Sequence, residues 1–124
     1  MVMKKTIGIA LILTAALLIL TACGPRFTGT ETADATHFAL EFSQLDGTKA
    51  HEMDLGEGAI VDVVIEAEYG RLDILVSGEK GEVIYQANDA ESMVFSLIIR
   101  KAYTYKFIVM GEDAAGAVSF TAYP

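Results

Sequence analysis

The chain has 124 residues, with 9 Lys and Arg against 17 Asp and Glu and a net charge of -8. That length is room for one ordinary domain, and the acidic balance excludes a nucleic-acid surface, which needs clustered Lys and Arg to displace counterions. The 1 cysteine excludes an internal disulfide.

The chain opens with a short basic stretch, Lys4-Lys5, followed by an apolar, uncharged run from Ile7 to Leu20 (IGIALILTAALLIL). Extended to Ala22, this is 16 residues, or about 24 Å of helix against roughly 30 Å of bilayer core. It therefore suits the apolar stretch of an export signal better than a permanent span. The run closes on Leu20-Thr21-Ala22-Cys23, which resembles the lipobox of bacterial lipoproteins, Leu-x-small-Cys. The resemblance implies a diacylglyceryl thioether on Cys23, cleavage between Ala22 and Cys23, and residence on the extracytoplasmic face of the cell membrane. Two acyl chains give the stable anchoring that a single chain does not.

On this reading residues 1–22 are a lipoprotein signal peptide with a signal helix. Residues 23–35 are the lipidated cysteine and a flexible tether, because Gly24 to Ala35 (GPRFTGTETADA) has a Pro, two Gly, three Thr and no apolar period. Twelve residues reach at most about 40 Å when extended.

Residues 36–124 read as strands and turns, since the dominant period is two. Phe38, Leu40 and Phe42 begin the series, and Asp46-Gly47 predicts a hairpin into Met53 and Leu55. Val61, Val63, Ile65, Ala67 and Tyr69 share one face of the longest run, and Gly70 predicts a turn into Leu72, Ile74 and Val76. Val83 to Tyr85 follows, then Met93, Phe95, Leu97 and Ile99, then Tyr103, Tyr105, Phe107 and Val109. A last turn is expected over Gly111 to Gly116, before Val118, Phe120 and Ala122. These eight strand candidates, with no helical period, predict an all-β antiparallel sandwich.

The segment from Tyr69 to Tyr85 resembles the repeated pattern of bacterial jelly-roll modules such as prepeptidase C-terminal domains. The hairpin Tyr103 to Gly111 and Gly116 to Phe120 is similar to their closing one. The opening HFALEFSQLDGT is similar to that of small lipoproteins of Gram-positive bacteria. These resemblances imply a jelly-roll-like fold on a secreted protein.

Chemistry is sparse. His37 and His51 have no HxH, HxxxH or CxxC spacing beside them, so no metal and no cofactor is expected. Asp62, Glu66 and Glu68 on one strand face are the acids that a small glycan-active enzyme of the cell envelope would use as a pair. A solvated acidic face is the reading favoured. Ile60, Val64, Leu75, Ile108 and Met110 alternate outward and form a candidate interaction patch. The expected function is therefore that of a non-catalytic binding module, held at the membrane through Cys23, with a protein or glycan partner.

Overall fold

Period-two alternation sends successive side chains to opposite faces of a strand, and it runs through six strands. In the computed structural model, which describes residues 24–124, these are β1 (Arg26–Ala33), β2 (His37–Leu55), β3 (Ile60–Gly78), β4 (Val83–Ala87), β5 (Met93–Ile98) and β6 (Tyr103–Tyr123). The signal segment and Cys23 lie outside the described residues. Every pairing is antiparallel. The strands form one sheet in the order β1-β2-β6-β3-β4, and β5 pairs with β3 on the same side as β4. Among the described residues there is no helix.

Three expected turns are bends inside long strands. β2 runs through Asp46-Gly47, β3 through Gly70, and β6 through Gly111 to Gly116, each with shifts of register at that place. Six of the eight candidates thus merge into three strands. Instead of closing a hairpin, the Asp46 carboxylate accepts a hydrogen bond from the Asp113 backbone N–H, tying the β2 bend to the β6 bend.

The register shifts have a clear consequence. Phe38, Leu40 and Phe42 are buried before the β2 bend, and Leu45, Met53 and Leu55 after it, so the inward parity changes from even to odd. In β3 it changes from Val61, Val63 and Ile65 to Leu72, Ile74 and Val76. In β6 it changes from Tyr105, Phe107 and Val109 to Val118, Phe120 and Ala122. A bulge that flips parity keeps the apolar set on one side while the strand turns a corner.

The sheet folds over on itself along this line of bends. Phe107 and Phe120 are thirteen residues apart in β6, about 43 Å along a straight strand, yet their rings meet at 4.9 Å, tilted by 54°. Phe38 and His51, equally far apart in β2, meet at 5.4 Å. One layer holds β1, the first half of β2, the second half of β6, the first half of β3, and β5. The other holds the remaining halves and β4. Tyr85 of β4 against Phe95 of β5, 4.7 Å between centroids, joins the layers at the far side. The expected antiparallel sandwich is therefore present, built from strands that pass from one layer to the other.

Two glycines make the crease. Gly70 has φ +73°, and a Cβ there would strike the Asp113 carbonyl. A Cβ on Gly116 would strike the Glu66 carbonyl. Backbone passes backbone at these points too closely for a side chain.

The expected tether is also corrected, because Arg26–Ala33 is a strand. It pairs with β2 from Arg26↔Asp46 to Ala33↔Phe38. Phe27 packs against the core, and the Lys49 ammonium lies 4.3 Å from its ring and 3.2 Å from Glu31 Oε1. As an edge strand on an existing sheet, β1 needs no apolar alternation of its own; alternate threonines suit an extended backbone.

Candidate functional site

The outer face of the first layer is ordered by register into rows of adjacent side chains. One row is Val94, Val64, Ser119, Ala39 and Thr32; the next toward the crease is Glu66, Ala117, Glu41 and Thr30. The central strands β2 and β6 contribute small residues here, while their neighbours carry larger ones. The result is a trough with a floor of Ala39, Ala117 and Ser119, walled by Thr30 and Thr32 on β1 and by Val64 and Glu66 on β3.

At its crease end the trough opens into a hollow of about 430 Å³ lined by Thr30, Glu41, Ser43, Glu66, Glu68, Gly116 and Ala117. Glu41 and Glu66 flank Ala117 from two strands, which sets their Cα atoms about 10 Å apart. Neither part of the trough has a Lys or Arg in its lining. A trough whose only charged lining groups are carboxylates favours cationic ligands.

The structure brings together only some of the expected site residues. Glu66 and Glu68 share the hollow, joined by Glu41. Asp62 lies two rows away and accepts a hydrogen bond from Ser96 Oγ at 2.7 Å. The outward apolar residues form two groups, not one. Leu75 faces Ile108 across β3 and β6, with Met110 in the adjoining outward row, on the second layer. Ile60 and Val64 lie on the first layer, so the crease puts the groups on opposite outer faces. The expected single patch assumed a turn at Gly70 that folds Val64 back beside Leu75; the continuous β3 separates them instead.

Ile60 has other apolar neighbours. Its row is Ile98, Ile60 and Tyr123, at 62%, 43% and 53% exposure, and Val94 at 75% lies beside Val64. The signal for Val94 and Ile98 is present in Met93–Ile98: once Phe95 and Leu97 turn inward, both are apolar residues facing out. Glu41 gave no such signal, because its proximity to Glu66 depends on β6 lying between them.

His37 Nδ1 is 3.1 Å from Thr121 Oγ1, and His51 Nε2 donates to the Asp34 carbonyl at 2.6 Å. Among the described residues no group of three or more His, Cys, Asp or Glu side chains is placed to hold a metal. Two carboxylates elsewhere are held below their ordinary range. The Asp89 backbone N–H, with Arg71 adding to it, does so for Asp73, and the Thr36 backbone N–H does so for Asp34. Burial, with nearby Glu82 charge, pushes the Tyr105 hydroxyl up, and it donates to the Lys101 carbonyl at 2.6 Å.

No protein-family model matches the chain, and no curated protein sequence matches it. Solved structures do. A periplasmic inhibitor of g-type lysozyme from Aeromonas hydrophila is 12% identical with a TM-score of 0.47, over 76% of this chain and 93% of its own. The pre-peptidase C-terminal domain of a Bacillus anthracis collagenase is 14% identical at 0.46, over 77% and 89%. A CBM4 structure is 11% identical at 0.45, over 82% and 78%.

Proposed function

We propose that the chain is an extracytoplasmic binding module, anchored in the cell membrane through diacylglyceryl-Cys23, that holds an extended cationic segment of a protein or glycan. The observation that carries this reading is the trough: a floor of small residues running along the strands, with Glu41, Glu66 and Glu68 at its crease end and no basic side chain in its lining. All three carboxylates stand exposed, and no charged side chain is buried among the described residues. A catalytic carboxylate pair uses surroundings that exclude water and hold its dipoles in advance. A wet, open trough supports binding rather than bond cleavage. The anchor rests on Leu20-Thr21-Ala22-Cys23 and the preceding apolar run.

Fluorescence anisotropy with a labelled hexalysine peptide tests the trough. Glu41→Gln with Glu66→Gln is expected to weaken binding about tenfold, as two exposed charge contacts would. Glu52→Gln with Glu57→Gln removes the same net charge elsewhere and should change it little. Equal loss in both pairs would refute the site. Mass spectrometry of the membrane fraction tests the anchor: a diacyl adduct on Cys23 is expected, and unmodified Cys23 behind an intact Met1 terminus would refute it.

A further inference from the structure

The β5 strand is an edge with an open side. Its backbone pairs with β3 alone among the described residues; β4 touches it only through side chains, Tyr85 against Phe95. Ile99 N–H donates to the Ala59 carbonyl and its carbonyl accepts from Gly58 N–H, both at 2.8 Å, so the Ile99 backbone faces β3. Alternation then turns Leu97, Phe95 and Met93 toward β3 as well, and turns the N–H and C=O groups of Val94, Ser96 and Ile98 to the open side. The strand Met93–Ile98 has no charge and no proline, the devices that usually blunt an edge. Val94 and Ile98 are 75% and 62% exposed. Charges stand just outside its two ends: Glu91 before it, Arg100 and Lys101 after it, all exposed.

We infer that this edge pairs with the β5 edge of a second copy of the chain, antiparallel and two-fold symmetric about Ser96. In that register Ser96 lies opposite Ser96, and Val94 lies opposite Ile98 in both directions. All three pairs join residues whose backbone groups face the open side. The two-fold axis keeps outer face with outer face, as a continuous sheet requires. The same register sets Glu91 of each copy opposite Lys101 of the other, with Ser92 opposite Arg100. The charge order along the segment, acidic then basic, is complementary to itself only when antiparallel. A shift of two residues sets Val94 opposite Ser96 or Arg100 and loses both apolar pairs. The first layers of the two copies then form one sheet. An interface this short belongs with weak, concentration-dependent ones.

Disulfide trapping in the full chain, in membranes of the expressing cell, tests the inference. Hydrogen-bonded antiparallel pairs hold Cα atoms about 5.5 Å apart, which suits a disulfide. Ser96→Cys is expected to give a dimer on a non-reducing gel, above the background set by the unsubstituted chain with its own Cys23. Val94→Cys alone should stay monomeric, because its symmetry mate lies about 13 Å away, whereas Val94→Cys with Ile98→Cys should dimerise. Added to Ser96→Cys, Glu91→Lys should cut the dimer yield severalfold, and Glu91→Lys with Lys101→Glu should restore it. A monomeric Ser96→Cys together with a monomeric Val94→Cys/Ile98→Cys would overturn the inference. So would equal dimer yield from Val94→Cys alone, no recovery on charge exchange, or a mixed disulfide to a different protein.

Discussion

Phe107 and Phe120 offer a direct measure of the fold-over. Both are 0% exposed, and their rings meet at 4.9 Å although thirteen residues of one strand separate them. Changing either to Leu keeps the site apolar and removes an aromatic edge, at a cost of about 1.5 kcal/mol. The contact between the rings is worth about 1 kcal/mol beyond burial. Either substitution alone already loses it, so the double variant should lose about 2 kcal/mol rather than 3. Urea unfolding followed by far-UV circular dichroism is the suitable assay, since the chain has 0 Trp. With a slope of about 1.5 kcal/mol per molar urea, each single variant lowers the midpoint by about 1 M, and the double by clearly less than twice that. A straight β6 places the rings about 43 Å apart and predicts simple additivity. Losses that add to within about 0.3 kcal/mol would refute the bend.

Gly70→Ala imposes a left-handed conformation on a residue with a Cβ, aimed at the Asp113 carbonyl. It should lower the melting temperature by about 10 °C in a thermal scan; an unchanged value would mean that the crease is not so tightly closed. Asp73 and Asp34 titrate below their unfolded value of 3.8. Their contribution is therefore complete above about pH 4 and lost as pH falls through the folded values. Asp73→Asn should flatten part of that acid limb in unfolding measured from neutral pH downward. Tyr105 titrates above its unfolded value of 10.0, so stability should fall as pH rises past about 10, and less so in Tyr105→Phe.

Alternation along the chain identifies most of the core, because facing in or out is a local property of a strand. Val61, Val63, Ile65, Leu72, Ile74, Val76, Phe107 and Phe120 are all apolar at the expected phase and all buried. The corners are different. Asp46-Gly47 has the residues of a hairpin turn, and the same residues serve a bulge; what decides is the partner. β6 lies alongside β2 on both sides of the bend, from Thr48↔Met110 to Phe42↔Gly116, so β2 has no free edge there on which to double back. β1 was illegible for the opposite reason: its side chains are mostly polar and exposed, and it is held by the edge it completes. The acidic trough joins Glu41 to Glu66 across β6, a neighbourhood set by strand order, which no local pattern encodes.

Given the lipid proposed on Cys23, the replacement of a tether by β1 would set a posture at the membrane. Only Gly24 and Pro25 stand between Cys23 and Arg26, and Pro25 lies against Gly47 at the crease. A lipid on Cys23 would then be on a leash of about 7 Å instead of about 40 Å, with the crease against the headgroups. A lone copy can stand upright on that end. Two copies joined edge to edge cannot, because antiparallel pairing sends their creases to opposite ends, roughly 45 Å apart by strand rise. Both leashes reach one leaflet only when the strands lie along its surface. Pairing would therefore tip the domains from upright to flat, and the surface that the bilayer hides would change with the number of copies present.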